Sequence, residues 1–583
     1  MTPRAGALLM ATVDVTINGR EVTVESGTTI LEAARTAGFH IPTLCHLSGL
    51  SPTGACRVCV VEVEGARTLV PSCAYPVTDG MVVRTHTPRV RAARTTLVQL
   101  LLANHPQECL TCVRNGDCEL QTLARQLNIR EIPYEGSRRR APVDLSSPSI
   151  ERDPEKCILC GRCVRVCSEI QNVGAISFTA RGFRTGVAPA YDRQLDLTSC
   201  TTCGQCIIHC PTGALRERSS IRKVWDWLND PKIHVVAQTA PAVRVAIGEL
   251  FGAPPGSIYT GQMVSALSIL GFDRVFDTNL AADLTIVEEA TELVHRITDH
   301  EPLPMVTSCS PGWIKYCEHI YPDLLPHLST CRSPHEMMGA LVKTYYAQGY
   351  GIYPGTIAVV SIMPCTAKKF EADRPELETD GFPSVDAVLT VRELGRMIRN
   401  AGIDFLNLPP REFDAPLGMS TGAADIFGAT GGVMEAALRT AAFYLTGKEL
   451  PNIDFRDVRG LRSIKEATVR IGDKAVRVAV ASGLSNAKTL MDEIRKGTSP
   501  YTFIEIMGCP NGCVNGGGMP QGSDVETVRA RLRALYTIDQ NKVYRRSHQN
   551  PAIRTLYEEF LGTPGGERAH HLLHTTYMPR ERS

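Results

Sequence analysis

Cysteine gives the clearest chemical signal in this sequence of 583 residues. Of its 21 cysteines, 15 lie before residue 211, in tight groups rich in C-x-x-C pairs. Cysteines spaced by two residues share a metal centre more readily than they form disulfides to distant partners. The pattern therefore predicts thiolate sites for iron–sulfur clusters or zinc in a reducing compartment, which we expect to be the cytoplasm.

Two runs, at residues 157–167 and 200–210, have the spacing C-x2-C-x2-C-x3-C. Bacterial ferredoxins use this spacing for two 4Fe–4S clusters, and the fourth cysteine of each run ligates the other cluster. The ligand sets are therefore predicted to cross. The first set is Cys157, Cys160, Cys163 and Cys210, and the second is Cys200, Cys203, Cys206 and Cys167.

Two further groups precede these runs. In the first, a predicted hairpin and helix lead into four cysteines, which resembles a plant-ferredoxin-type domain with one 2Fe–2S cluster, although the first cysteine gap is longer than in plant ferredoxins. The second has the pattern H-x3-C-x2-C-x5-C, in which an imidazole supplies the fourth ligand of another 4Fe–4S cluster. The ligands are Cys45, Cys56, Cys59 and Cys73, then His105, Cys109, Cys112 and Cys118. The alternatives are a structural zinc site for the first group and a helix-terminal histidine without a ligand role.

These sites use 15 cysteines and one histidine, four ligands for each of four clusters, so we interpret the first 220 residues as an electron-transfer chain. Their first scaffold is a β-hairpin over residues 13–24, predicted from alternating residues around Asn18-Gly19. A helix over residues 30–37, stopped by Gly38, follows it.

After residue 221 the pattern becomes α/β. Buried strands are predicted at residues 233–237, 356–361 and 387–390. Thr390 and Glu393 predict a capping box that opens a helix ending at Asn400. Neither of the common glycine-rich nucleotide-binding patterns occurs, so no flavin or NAD site is visible.

Composition excludes two kinds of partner. The net charge is +1, so no broad basic field indicates nucleic acid binding. No apolar run approaches the roughly 18 residues of a membrane span, and we expect no membrane partner. The apolar stretch at residues 6–10 is too short for a signal-peptide core, and we expect the structured chain to begin near Met10.

Three segments of the second half resemble the signature motifs of iron-only (FeFe) hydrogenases, namely TSCSPGW at 307–313, MPCTAKKFE at 363–371 and EIMGCPNGCVNGGGMP at 505–520. The resemblance covers nearly the whole chain and implies a multidomain α+β and α/β protein. The implied domains are a β-grasp 2Fe–2S domain over 10–86, a His-ligated 4Fe–4S domain over 87–145, a bacterial-ferredoxin-like domain with two 4Fe–4S clusters over 146–221 and an α/β catalytic domain over 222–583.

The resemblance also implies a six-iron H-cluster, a 4Fe–4S cubane bridged to a di-iron unit with carbon monoxide, cyanide and azadithiolate ligands. By resemblance, Cys365, Cys509 and Cys513 ligate the cubane, Cys513 forms the bridge, and Lys368 pairs with a cyanide. Met363, Met507 and Phe427 would make the pocket apolar, and Pro241 would supply backbone contacts. The implied proton relay is Cys309, Glu289, Glu292, Ser329 and Arg296. A solvated helix face is the alternative for the three charged residues.

The first motif departs from the family at Ser310, where the family has the fourth cysteine ligand of the cubane. Three alternatives are oxygen or water at Ser310, Cys309 after a backbone shift, and the additional cysteine Cys331. Near the pocket, His335 replaces a glutamine and Ala242 replaces a serine.

The implied function is the reversible oxidation of H2 to two protons and two electrons. The accessory clusters would pass the electrons to ferredoxin and/or to flavin- and NAD(P)-binding subunits with a thioredoxin-like 2Fe–2S subunit, and maturation proteins would supply the di-iron unit. The TSCSP variant together with Cys331 favours an electron-bifurcating or NAD(P)-linked complex.

An iron–sulfur assembly protein and a hydrogen sensor are the alternative functions. Assembly relatives usually lose the pocket lysine and the relay, whereas Lys368 and Cys309 are present here. Sensors commonly carry an added signalling domain, and only about 70 residues follow Cys513.

Overall fold

The computed structural model describes residues 11–299, 301–471 and 474–581. The expected start at Met10 lies outside these residues. The first unit is a five-stranded sheet of order β2-β1-β5-β3-β4 with one helix against it. Its elements are β1 Thr12–Ile17, β2 Arg20–Glu25, α1 Ile30–Thr36, β3 Val60–Val63, β4 Val70–Pro71 and β5 Met81–Arg84.

The predicted hairpin and helix of this unit are confirmed. β1 and β2 pair in antiparallel register, with Ile17 opposite Arg20, so the loop has two residues. Asn18 and Gly19 both have positive φ, as a type I′ turn requires. The helix ends one residue earlier than predicted, and Ala37 caps it.

The cysteine-rich segment after this sheet contains short helices and two pairs of strands. The helices and strands up to residue 217 are α2 Pro88–Ala103, α3 Glu119–Gln126, β6 Ile150–Arg152, α4 Arg162–Arg165, β7 Ser177–Thr179, β8 Gly186–Ala188, α5 Gln205–Ile208 and β9 Leu215–Glu217. β6 pairs with β9, and β7 with β8. The two cysteine runs lie between β6 and β9, so this strand pair closes the segment that carries them.

Two four-stranded sheets form the rest of the chain. The first has the order β11-β10-β13-β14, and its neighbouring strands are all parallel. The second has the order β12-β17-β16-β15, and only β15 and β16 are antiparallel. The strands are β10 His234–Thr239, β11 Arg274–Asp277, β12 Met305–Val306, β13 Ile357–Met363, β14 Ala387–Thr390, β15 Ile464–Ile471, β16 Lys474–Ser482 and β17 Phe503–Met507.

Helices surround these sheets. They are α6 Ile221–Leu228, α7 Thr260–Leu270, α8 Thr278–Thr298, α9 Pro311–Ile320, α10 Pro334–Leu341, α11 Ala347–Tyr350, α12 Ala367–Ala372, α13 Val391–Asn400, α14 Gly422–Asp425, α15 Gly432–Thr446, α16 Leu484–Arg495, α17 Val525–Asn541, α18 Pro551–Leu556 and α19 Glu567–Leu573. None of the helices described is both long and apolar enough to cross a bilayer. The capping box of Thr390 and Glu393 is confirmed.

The predicted buried strands are also confirmed, but two of them run further than the pattern indicated. β10 continues to Thr239 and β13 to Met363, whereas the predictions ended at residues 237 and 361. The polar Gln238 and Thr239 are completely buried, so apolar periodicity could not reveal that the strand continues. These extensions carry both strands up to the site described next.

Candidate active site and cluster sites

A cavity of about 90 Å³ lies where strands of both sheets end. β10 and β13 lead into it from the first sheet, and β12 and β17 from the second. Sites at the carboxyl ends of parallel strands are common in α/β folds. The cavity brings together ten of the residues singled out in the sequence: Pro241, Cys309, Ser310, Met363, Cys365, Lys368, Phe427, Met507, Cys509 and Cys513.

The thiols of this cavity fit a metal cluster. Burial raises the pKa of Cys365 and Cys509, and it raises the pKa of Cys513 to about 12. Without a metal these groups would remain thiols at neutral pH, and a bound cation is the ordinary means of making them thiolates. Three convergent sulfurs between apolar walls therefore suit a thiolate-ligated iron–sulfur cluster.

Lys368 places a positive charge in the same cavity. Its Nζ donates to Glu371 Oε2 at 2.6 Å and to the Cys309 carbonyl at 3.3 Å. Burial lowers the pKa of Lys368, but the Glu371 carboxylate opposes this effect and the net shift is upward. The ammonium therefore stays charged and suits a small anionic ligand.

His335 contacts the same carboxylate oxygen of Glu371 as Lys368, a contact that the sequence did not predict. Its Nε2 lies 2.6 Å from Glu371 Oε2 and 3.0 Å from Glu336 Oε1, and its Nδ1 lies 3.2 Å from Ser361 Oγ. Burial lowers the pKa of His335, but the two carboxylates outweigh it and the net shift is upward. His335 and Lys368 thus share one carboxylate at the cavity wall.

Ser310 and Cys331 have different positions. Ser310 lines the cavity, and its Oγ accepts a hydrogen bond from the Gly508 N–H at 3.1 Å. Cys331 is not part of the cavity wall in the portion of the chain that is described. Its sulfur lies 3.9 Å from Glu292 Oε2, on the side of the relay residues.

Three of the five predicted relay residues lie on α8, and the other two, Cys309 and Ser329, precede α9 and α10. Ser329 Oγ donates to Glu292 Oε2 at 2.8 Å, and Arg296 donates to Glu292 Oε1 at 2.6 Å. Glu289 is 0% exposed and Arg296 only 4%, so the solvated-face alternative is wrong. Their burial places the charged face of α8 inside the protein, and Cys309 is the member of the predicted relay that lines the cavity.

Glu289 is the carboxyl group of this predicted relay that lacks well-formed hydrogen bonds. Neither of its carboxylate oxygens has a hydrogen-bond partner of good geometry among the residues described. Burial, followed by the charges of Glu292 and Glu505, raises its pKa to about 8. Burial and the charge of Glu289 likewise raise the pKa of Cys309, which stays a thiol. Both groups can therefore hold a proton near neutral pH.

The two ferredoxin-like runs form two further cavities. One is lined by Cys157, Cys160, Cys163 and Cys210, and the other by Cys167, Cys200, Cys203 and Cys206. The structure thus brings together the thiols of each crossed set, although ligation itself stays a prediction. Leu159 and Thr202 occupy matching places in the two runs and share a positive φ, as expected for a repeated cluster loop.

The first group of cysteines also converges. Cys59 and Cys73 have their sulfurs 3.4 Å apart, and Cys45 contacts both Cys56 and Cys73, whose hydrogen bonds lower its pKa. Four cysteines that these contacts bring together fit a 2Fe–2S cluster.

The structure supports the predicted cluster site less fully for the group that contains His105. His105 Nδ1 is buried without a hydrogen-bond partner among the described residues, and burial lowers the pKa of His105 to about 4. A neutral, unpartnered imidazole suits a metal ligand. Cys109 is exposed, and the convergence of this set on one centre stays a prediction.

A glycine junction joins the dicluster segment to the active-site segment. A Cβ atom added at Gly517 would lie 2.7 Å from Gly204 Cα, which is closer than side chains tolerate. Gln205 Nε2 also donates to the Asn515 carbonyl at 3.0 Å, and Gln171 Nε2 to the Gly508 carbonyl at 2.9 Å. The cysteine run at 200–210 is therefore packed directly against the third motif.

Sequence reasoning missed Glu505, which opens the third motif. This buried carboxylate accepts hydrogen bonds from the Gly431 N–H at 2.7 Å and the Met434 N–H at 2.6 Å. It therefore holds the glycine-rich turn before α15 and places Phe427 at the cavity. Its position in a strand of apolar neighbours was the available signal, because a charged residue there needs a partner.

Comparisons with known families cover most of the chain. Residues 233–517 match the iron only hydrogenase large subunit, C-terminal domain, and residues 525–580 the iron hydrogenase small subunit. Residues 10–88 match a 2Fe-2S iron-sulfur cluster binding domain, and residues 94–133 the NADH-ubiquinone oxidoreductase-G iron-sulfur binding region. Residues 156–214 match a 4Fe-4S dicluster domain.

Individual relatives agree with these matches. The chain is 50% identical to the NADP-reducing hydrogenase subunit HndD of Solidesulfovibrio fructosivorans, over 98% of this chain and 100% of the relative. It is 42% identical to iron hydrogenase 1 of Clostridium pasteurianum, over 97% and 99%. A solved structure of a variant of the [FeFe]-hydrogenase HydA1 from Chlamydomonas reinhardtii is 44% identical with a TM-score of 0.57, covering 62% of this chain and 100% of that one.

Proposed function

Because the chain belongs to the iron-only hydrogenase family, we propose that it catalyses the reversible oxidation of H2 to two protons and two electrons. The observation that carries this proposal is the cavity in which three thiols, Lys368 and Cys309 meet at the ends of four strands. We further propose the four domains predicted above, and the order of the matched family models supports them.

In this proposal Cys365, Cys509 and Cys513 would hold the cubane of the H-cluster, and Cys513 would also link it to the di-iron unit. Lys368 would bind a cyanide ligand, while Met363, Met507 and Phe427 would exclude water from the cavity. When bound, the di-iron unit supplies an open iron position for H2 and an amine that exchanges protons.

The five residues of the proposed relay move the proton. Cys309 exchanges it at the cavity, Glu289 accepts it in the buried interior, and Ser329 and Glu292 pass it toward Arg296. The 2.8 Å hydrogen bond between Ser329 and Glu292 supports this path. The four accessory clusters carry the electrons, and the direct packing of the second cysteine run against the third motif supports an exit through the dicluster segment.

Fully matured protein should contain about 20 irons per chain, from one 2Fe–2S cluster, three accessory 4Fe–4S clusters and a six-iron site. Iron analysis and infrared spectroscopy check this, because bound carbon monoxide and cyanide give bands that protein groups lack. An iron content near 14 without such bands would support the assembly-protein alternative, which the presence of Cys309 and Lys368 in the cavity disfavours.

For the fourth corner of the cubane we propose Ser310 oxygen or water, because Ser310 lines the cavity and Cys331 does not in the described part of the chain. The S310C variant should then supply a fourth thiolate, and the harder oxygen donor of the wild type should give the lower cubane potential. Redox titration followed by electron paramagnetic resonance measures the shift. S308A is a matched control, because Ser308 Oγ donates to the Cys331 carbonyl instead. An unchanged spectrum and potential in S310C would mean that another residue fills this corner.

We also propose that the chain works in the cytoplasm, within an NAD(P)-linked or bifurcating complex. The name of its relative, an NADP-reducing hydrogenase subunit, supports this proposal. Affinity purification from the native cell should recover a flavin-containing partner and a thioredoxin-like 2Fe–2S subunit, identified by flavin absorbance and mass spectrometry. Full activity with reduced ferredoxin in a preparation without any second subunit would count against the complex.

A further inference from the structure

A second group of metal-binding side chains lies behind the proposed relay. It consists of Glu292, Cys331 and His574, whose ligand atoms all lie within 4.8 Å of one another. Cys331 is 0% exposed and His574 only 8%. A thiol, an imidazole and a carboxylate are the three donors that zinc binds in proteins.

The backbone fixes two of these donors opposite each other. The Arg332 N–H donates to the Leu573 carbonyl at 2.7 Å, and the Thr575 N–H to the Thr330 carbonyl at 2.8 Å. Between these bonds Cys331 and His574 face each other as an antiparallel bridge. The group is therefore held by paired backbone, and closing it around an ion requires only small side-chain movements.

The third donor is oriented by its own partners. Arg296 donates to Glu292 Oε1 at 2.6 Å, which leaves Oε2 directed at Ser329 and Cys331. The oxygen nearest the thiol is therefore the one that is free of the guanidinium.

The charge around Cys331 also favours a cation. Burial raises the pKa of its thiol, and the nearby carboxylates Glu292, Glu289 and Glu288 raise it further. A divalent ion bound here would offset the charge of the Cys331 thiolate and of the Glu292 carboxylate, which already has Arg296 as an ion-pair partner.

We propose that Glu292, Cys331 and His574 bind a thiophilic divalent cation such as Zn²⁺, and that its binding closes the proton relay at Glu292. Cys331 releases its proton to solvent and binds as a thiolate. Glu292 contributes Oε2, and His574 contributes the lone pair of one ring nitrogen, exchanging a hydrogen bond to Thr330 or Glu288 for the metal. A thiolate ligand selects Zn²⁺ over Mg²⁺ or Ca²⁺.

The closing of the relay rests on the proposed function, whereas the binding of the ion does not. While Glu292 is bound to the metal, it no longer accepts the proton that Ser329 offers. Hydrogen turnover should then stop although the cavity and its cluster are untouched.

The test uses the matured holoenzyme with one equivalent of Zn²⁺ and zinc K-edge X-ray absorption. We expect one sulfur at about 2.3 Å and nitrogen or oxygen ligands at about 2.0–2.2 Å. C331A should lose the sulfur shell, whereas C317A should keep it, because Cys317 is equally buried but contacts the Tyr321 carbonyl. H574Q should bind Zn²⁺ more weakly, and H571Q, which changes an exposed histidine of α19, the helix that ends just before His574, should not.

Activity measurements complete the test. Zn²⁺ should inhibit both H2 production and H2 oxidation by the wild type and by C317A, but not by C331A. A zinc shell without sulfur, or a sulfur shell that survives in C331A, would overturn the site whether or not the protein turns over hydrogen. A complete shell with uninhibited turnover would overturn the closing of the relay and leave the proposed function intact.

Discussion

Replacement of Cys309 by alanine should lower hydrogen turnover by about 10²–10⁴-fold, the scale of a lost acid–base group. Cys309 is the residue of the proposed relay that lines the cavity, and burial raises the pKa of its thiol, which therefore stays protonated. A methyl group cannot exchange that proton. The loss should appear in both H2 production and H2 oxidation, measured with an artificial electron carrier.

The cofactors should remain in place, since Cys309 is not one of the proposed cubane ligands. Iron content and the infrared bands should match those of the wild type. C317A removes another thiol of the same domain, one that is fully buried and whose sulfur contacts the Tyr321 carbonyl, and it should keep its activity. Near-normal turnover in C309A would move the proton path to another residue.

The second large effect is expected at Glu289. E289Q preserves the shape of the side chain but removes the proton exchange, so turnover should again fall by about 10²–10⁴-fold. The matched control is E288Q. Glu288 is the adjacent residue of α8 and is equally buried, but its Oε2 is bound to His574 Nε2 at 3.0 Å and to the Gly565 N–H at 2.9 Å. If both variants lost activity equally, helix damage would explain the result better than a relay.

The pH dependence gives Glu289 a separate signature. Its carboxyl has a pKa of about 8, so it loses its proton as the pH rises through that value. Wild-type H2 production should decline over the same range, and the residual activity of E289Q should lack this inflection.

The same titration of Glu289 should also change the stability of the protein. An unfolded glutamate has a pKa of about 4.3, so the folded state binds the extra proton between that value and the folded pKa. The free energy of unfolding of the wild type therefore falls as the pH rises through this window. E289Q lacks this loss. Denaturation experiments should therefore show that the free energy of unfolding of E289Q, relative to that of the wild type, is higher at about pH 9 than at about pH 6.

Much of the scaffold was predictable because its signals are local. Asn18-Gly19 predicts a two-residue turn by itself, and Thr390 with Glu393 predicts a helix start within four residues. The spacing of the cysteine runs also predicts which thiols meet, since the crossing of ligands is a property of that spacing.

The contacts of Cys331 and His335 were beyond such reasoning. Cys331 pairs with His574, which lies more than 200 residues further along the chain, and His335 meets Glu371 across the cavity wall. No local pattern carries information about pairs so far apart. The sequence showed that both residues were unusual for their positions, and only the fold shows what they touch.

The glycine junction between Gly204 and Gly517 has a consequence for the rate of electron transfer. Electrons cross protein by tunnelling, and the rate of tunnelling falls exponentially with distance. Two residues without side chains let the loop of one cysteine run lie against the loop of the third motif. Any side chain at this junction would widen the gap, so the absence of two Cβ atoms keeps the tunnelling step between the dicluster segment and the cavity short.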